Sequence, residues 1–228
     1  MMYRIEKVLN HNTVIAIHQD DHKEVLIMGK GVGFGRKVAE RIEVRPEDRL
    51  YSLQKYKERG GAKEIVKSIA PEFLELTNAV LDEAEKVFGK IDRMVLFPLA
   101  DHIAFAVKRI QNHEQISNPL TEDIRVLFHM EFKVAESIRP LLKKQFQIDI
   151  EDDEIGYVAL HIHSAIEDEK VSQAMQMARS VRECISMVEE AIGKPIDIAS
   201  LSYNRLMNHI LSLLLPALLP DSYLPGRR

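Results

Sequence analysis

Apolar residues in this chain change their spacing near Lys57, and no single type of fold accommodates both halves. Before that point they come in short, β-branched runs separated by polar or glycine-rich segments. After it they recur every three to four residues through long stretches, as on one face of a helix. The first half therefore predicts strands. Tyr3–Leu9 leads to Asn10-His11-Asn12, and Thr13–Ile17 is rich in β-branched residues. Gln19-Asp20-Asp21-His22 is a polar turn, and Glu24–Met28 is another apolar run. Gly29-Lys30-Gly31-Val32-Gly33-Phe34-Gly35 is too glycine-rich for a helix and suits a tight turn or bulge. A last short strand is expected near Leu50–Leu53. Four such strands form a small antiparallel sheet with a meagre core, so a partner, and hence dimerisation, is a physical expectation.

The second half predicts helices. Glu58-Arg59-Gly60-Gly61 reads as a linker. Pro71 can open a helix that runs to Phe88, with Gly89 just past its end. Pro98 likewise opens a helix carrying Leu99, His102, Ile103, Ala106, Val107 and Ile110. Thr121–Phe146 is a long helical stretch in which Pro140 should cause a kink or split. Asp152 and Asp153 can cap a helix bearing Ile155, Val158, Ala159, Ile162 and Ala165. Val171–Ile192 is a further helix, stopped by Gly193. Leu99-Ala100-Asp101-His102-Ile103 and Leu206-Met207-Asn208-His209-Ile210 share a pattern about one small-domain length apart, as tandem copies would. The expected class is α+β and multidomain. The boundaries are a β-sheet domain at 1–57, a linker at 58–64, a helical bundle at 65–170 and an incomplete second helical domain at 171–228.

Charge and cysteine usage narrow the functional classes. Residues 1–57 hold 11 Lys/Arg against 8 Asp/Glu, a net of +3, while the rest of the chain nets −7 within a total of −4. A basic head on an acidic body suits a head that meets a polyanion. A single cysteine, Cys184, excludes an intramolecular disulfide and fits a reducing cytoplasmic compartment. The longest apolar stretch, Ile210–Leu219, is half a membrane span and contains Pro216, so no membrane insertion is expected.

Two groups of residues carry chemistry. Asn10 and Asn12 offer donors and acceptors that can read base edges, Lys30 can meet phosphate, and Phe34 on a glycine-rich loop can stack on an unpaired base. The same residues are also what hairpin turns are made of, although turn formation accounts poorly for a phenylalanine between two glycines. His102 and His161 sit on apolar helices, where neutral imidazole can accept a phosphoryl group, and Asp101 can orient His102. A partly buried, hydrogen-bonded histidine is the alternative for each. A metal-dependent helical phosphohydrolase using Asp101, His102 and His161 is a third reading. It is disfavoured because His161 and His163 do not share a helix face. No nucleophile elbow, Walker sequence or His-Glu-x-x-His is present, so no enzyme, metal or cofactor is expected.

VLNHNTVIAI with EVLIMGKGVGFGRK resembles the RNA-binding domain of the BglG/SacY/LicT family of transcriptional antiterminators. DHIAFAVKR and EIGYVALHIHSA resemble the histidine segments of that family's first phosphotransferase-system (PTS) regulation domain, nearest to its glucose-operon branch. The resemblance covers roughly residues 3–210. It implies a cytoplasmic homodimer that binds a leader-mRNA hairpin and so prevents a terminator from forming. By analogy, Lys7, Asn10, Asn12, Gly29, Lys30 and Phe34 occupy RNA-contacting positions, with Lys30 where some members carry arginine. His102 and His161 match the regulatory histidines, with Asp101 in support. A sugar-specific PTS enzyme II is the implied phosphoryl donor, switching antitermination off when its sugar is absent. His209 matches the first histidine of a second regulation domain, the one addressed by the phosphocarrier HPr. The chain ends soon after His209, in leucine-rich sequence. Loss of HPr control and aggregation through leucines 211–219 are therefore expected.

Overall fold

Period-two alternation in the first half produces a sheet with two apolar faces. Strands β1 (Met2–Asn10), β2 (Thr13–His18), β3 (Glu24–Met28), β4 (Arg41–Glu43) and β5 (Arg49–Ser52) pair antiparallel in the order β4-β1-β2-β3-β5. The structure is a computed structural model and describes residues 2–54, 61–114, 116–167, 170–198 and 200–218. Val14, Ala16 and Ile27 point to one face, where they meet Tyr3, Ile5, Val32 and Ile42 in a small cluster. Ile15, Leu26, Met28 and Tyr51 point to the other face and join the core of the helical half. This explains the unbroken burial of Thr13 to Ala16, a pattern that a sheet wet on one side does not show. β4 is absent from the sequence expectation. It is three residues long in a polar segment, and only its pairing with β1 defines it.

The helices are α1 (Gly61–Ser68), α2 (Pro71–Phe88), α3 (Leu96–Gln111), α4 (Thr121–Leu127), α5 (His129–Ala135), α6 (Ile138–Phe146), α7 (Asp152–Glu167), α8 (Val171–Ile192) and α9 (Leu201–Leu218), with a 3-10 turn at Arg93–Val95. Of the stretch read as linker, Gly61–Glu64 lies in α1, while residues 58–60 fall outside the described residues. The segment Thr121–Phe146 does divide, but at Phe128 and at Glu136-Ser137 rather than at Pro140. Pro140 is accommodated because it sits in the first turn of α6, where its missing N–H has no helical acceptor to lose. The apolar C-terminal stretch is helical through Leu218, and residues 219–228 lie outside the described residues.

α7 is the central helix, with Ile155, Val158, Ala159, Leu160 and Ile162 fully buried. α8 and α9 form a satellite core of Val181, Ile185, Tyr203, Met207 and Ile210. The Tyr203 hydroxyl donates to buried Asp123 Oδ1 at 2.5 Å and so ties α9 to α4. Burial pushes the carboxyl of Asp123 above its usual range.

The sheet meets the helices through a polar clamp set in apolar surroundings. Tyr51 is buried, and its hydroxyl donates to Asn78 Oδ1 at 2.6 Å while accepting from Arg93 Nη2 at 2.9 Å. Arg49 Nη2 and Arg93 Nη1 both reach Asp82 and Glu85 on α2, at 2.9 to 3.1 Å. Burial raises the Tyr51 pKa, which keeps the hydroxyl protonated and donating. The partner that the small sheet requires is thus supplied within the chain by α2 and its neighbours. Tyr51→Phe leaves Asn78 and Arg93 without this partner inside a closed contact. It should destabilise the protein by about 1–3 kcal/mol in urea unfolding. An unchanged midpoint would show that the clamp contributes nothing.

Candidate functional site

The turn between β1 and β2 consists of His11 and Asn12, and the glycine-rich loop folds back onto it. Gly29 N–H donates to Asn12 O at 2.9 Å, Gly33 N–H to His11 O at 2.9 Å, and Gly31 N–H to Asn12 Oδ1 at 2.8 Å. Asn10 Oδ1 accepts from Asn12 N–H at 2.9 Å. Both asparagine carbonyls therefore hold the turn and loop together, and both NH2 groups remain free to donate elsewhere. A side chain at Gly33 would stand 2.2 Å from Asn10 O, so glycine is what lets the loop lie on the turn. At Gly29 a Cβ would stand 1.9 Å from Asp48 Oδ1. Asp48 in turn holds Arg45 by two hydrogen bonds from its guanidinium, at 3.1 and 2.7 Å, and Arg45 Nη2 donates to Lys30 O at 2.8 Å. Gly29 thus has a packing reason to be glycine, whatever else it contacts.

This lacing gathers Asn10, Asn12, Lys30 and Phe34 at one edge of the sheet. Phe34 is 69% exposed, and its ring meets the His11 ring edge-on at 5.3 Å between centroids. Lys30 is exposed, and Lys7 is exposed along β1. Turn formation occupies only the carbonyl half of each asparagine amide. Two features of this edge escape the sequence. His11 adjoins Phe34, and Glu75 of α2 lies against the asparagines. Asn10 Nδ2 donates to Glu75 Oε1 at 2.6 Å and Asn12 Nδ2 to Glu75 Oε2 at 3.2 Å.

The histidines lie in a cleft of about 790 Å³ between α3 and α7, lined among others by Asp101, His102, Phe105, Tyr157, His161 and Ser164. The rings of His102 and His161 stand 5.5 Å apart between centroids, inclined at 39°. His102 Nε2 lies 3.4 Å from Glu154 Oε2, and Arg109 binds the other carboxylate oxygen. Glu154 is two turns before His161 on α7, and Arg109 is two turns after His102 on α3, so each pair shares a helix face. Burial pushes the Glu154 carboxyl up, but His102 and Arg109 outweigh it and hold the pKa below its usual value. Asp101 lines the cleft but is exposed; the carboxylate against His102 is that of Glu154.

His161 is buried, and among the described residues its Nδ1 has no hydrogen-bond partner. Burial, reinforced by neighbouring His102, pushes its pKa down to about 3. The ring is therefore neutral at physiological pH and keeps the lone pair that a phosphoryl acceptor needs. His163 turns away, with Nδ1 3.0 Å from Glu131 Oε1 and its ring against Phe128. His161 and His163 consequently do not converge. Among the described residues no group of three or more His, Cys, Asp or Glu is placed to hold a metal ion. His209 is exposed on α9, away from this cleft.

Two family descriptions match the chain: "CAT RNA binding domain" over residues 3–60 and "PRD domain" over residues 74–165. The chain is 31% identical over 212 residues to the "GlcA/glcB genes antiterminator" of Staphylococcus carnosus, covering 91% of this chain and 73% of that protein. It is 27% identical over 213 residues to "Protein GlcT" of Staphylococcus epidermidis, with 91% and 74% covered. A solved structure described as "Crystal structure of GlcT CAT-PRDI" superposes with a TM-score of 0.63 at 30% identity. The superposition covers 73% of this chain and 99% of that one.

The low His161 pKa sets a pH dependence. An unfolded His161 takes up a proton near pH 6.5, whereas the folded one refuses it until about pH 3. Its contribution is complete above pH 6.5 and is lost as the pH falls toward 3, because in that window the unfolded state binds the extra proton. His161→Gln removes this component. Between pH 7.5 and 5.0 the variant should lose about 2 kcal/mol less stability than the wild type in urea unfolding. Equal losses would mean that His161 is not held neutral.

Proposed function

The chain belongs to the BglG/SacY/LicT family of transcriptional antiterminators, in which a CAT RNA-binding domain precedes PRD regulation, and from that premise we propose how its two halves divide the work. The chain is an RNA-binding antiterminator under PTS-dependent phosphorylation. Its head, residues 1–57, binds a hairpin in a leader transcript, and the bound hairpin excludes the overlapping terminator. The observation that carries this is the convergence of Asn10, Asn12, Lys30 and Phe34 at one laced edge. The asparagine amides read polar groups of unpaired bases, exposed Phe34 stacks on a base, and Lys7 and Lys30 meet phosphates. Gly29 keeps the loop close to the turn, so that RNA can approach its backbone.

Residues 65–170 form the first regulation domain, joined to the head through the segment 58–64, whose last residues belong to α1. Residues 171–228 belong to a second such domain and carry His209. His102 and His161 are the phosphoryl acceptors of the first, and a sugar-specific enzyme II is the donor. A phosphoryl group adds about −1.5 to −2 charges, on His102 directly beside buried Glu154 where it competes for Arg109, and on His161 one ring further away. The ion pairs of Glu154 on α7 with His102 and Arg109 on α3 are then redistributed, which is the physical basis of the switch. Asp101 at the cleft wall completes the proposed set. Two copies pair so that both heads face one hairpin. Because the target is a nascent transcript, the site of action is the cytoplasm. No described helix is long and apolar enough to cross a membrane.

Binding of the full chain to antiterminator-type hairpins at fixed salt tests the head. Asn12→Ala and Phe34→Ala should each weaken binding by about 1–3 kcal/mol, the usual contribution of a base contact or a stacked aromatic ring. Lys30→Ala should instead lower the slope of log K against log salt by about one phosphate contact. Wild-type affinity in both Asn12→Ala and Phe34→Ala would remove RNA reading from this edge.

A further inference from the structure

The NH2 groups that the turn leaves free at Asn10 and Asn12 do not face solvent. Both donate to one carboxylate, Glu75 of α2, at 2.6 and 3.2 Å, and the Thr13 hydroxyl stands 3.5 Å from Glu75 Oε1. Two amide donors on two oxygens of one anion are what a phosphate or a pair of base carbonyls would receive at the same place. The match is not forced by a shortage of cations. Lys30 and Arg49 line the same cleft, of about 380 Å³, as Glu75 does. Glu47 and Asp82 line it as well, so incoming phosphate meets three carboxylates there. α2 as a whole carries Glu72, Glu75, Asp82, Glu83 and Glu85 against a single Lys86. Meanwhile Lys7, Lys30 and Phe34 stay exposed, so only the asparagines are closed off.

We propose that α2 acts as an intramolecular RNA mimic, with Glu75 latched onto Asn10 and Asn12 so that RNA must displace it before those residues can read bases. The inference rests on the RNA-reading edge described above and adds how that edge is held closed within the same chain. α2 also packs against α3, the helix of His102, so the latch belongs to the half that carries the phosphoryl-accepting cleft. A closed latch lowers apparent affinity by the fraction of molecules in which it is open.

The test uses the full chain, a leader-type RNA hairpin and fixed salt. Glu75→Gln removes the charge and one acceptor at nearly constant shape, and Glu75→Ala removes the latch entirely. Each should bind the hairpin about tenfold tighter than wild type, as expected when an edge open in roughly a tenth of molecules becomes open in nearly all. Glu83→Gln deletes the same charge from the same helix, at a residue that pairs with Lys86 instead, and should stay within about twofold of wild type. Wild-type affinity in both Glu75 variants, or equal tightening in Glu83→Gln, overturns the latch while leaving RNA reading intact. If neither wild type nor variants bind any hairpin, the RNA reading itself falls, and the latch with it.

Discussion

Everything else in this molecule depends on the docking of a small sheet onto one acidic helix. Ile15, Leu26, Met28 and Tyr51 place one face of the sheet into the helical core, and burying each such side chain contributes roughly 1.5–3 kcal/mol. Arg49 and Arg93 then straddle Asp82 and Glu85, while the Tyr51 hydroxyl joins Arg93 to Asn78. The clamp fixes which residues of α2 face the sheet. It thereby places Glu75 against the turn of Asn10 and Asn12. Fold and candidate control are one contact here, because the surface that completes the core of the head also presents a carboxylate to its proposed recognition edge.

The helical half shows the complementary arrangement, a histidine pair held in a cleft between helices. His161 is neutral because it is buried, and His102 faces a carboxylate that Arg109 already holds. A phosphoryl group on either histidine would add charge to a cleft that Asp101, Ser164 and Lys170 also line. In the proposed switch Arg109 leaves Glu154 for the phosphoryl group, a discrete rearrangement of the kind a switch requires.

Much of this was legible in the residues. The change in apolar period separates sheet from helices, and Pro71, Gly89 and Gly193 mark helix ends that the structure keeps. Asn10, Asn12, Lys30 and Phe34 stand out because a hairpin turn needs no phenylalanine among glycines, and the structure brings them together. What escaped is tertiary. β4 is three residues long and exists only through β1, and α1 begins at Gly61, in a stretch that reads as a linker. Pro140 marks no break because its position within a helix, not its presence, decides the cost. Glu154 and Glu75 are ordinary helix glutamates in sequence. Only the approach of α3 to α7, and of α2 to the sheet, gives them partners. The sequence signal that existed was the two-turn spacing of Glu154 to His161 and of His102 to Arg109, which puts each pair on one face.

The central claim is that the histidine cleft governs the RNA-reading edge. Its most direct test compares the hairpin affinity of the full chain before and after phosphorylation from phosphoenolpyruvate through PTS proteins, with phosphate incorporation followed by mass. Phosphorylated wild type should bind at least about tenfold more weakly, while a chain carrying both His102→Ala and His161→Ala is unaffected by the same treatment. Unchanged affinity in wild type carrying phosphate on these histidines would contradict the claim.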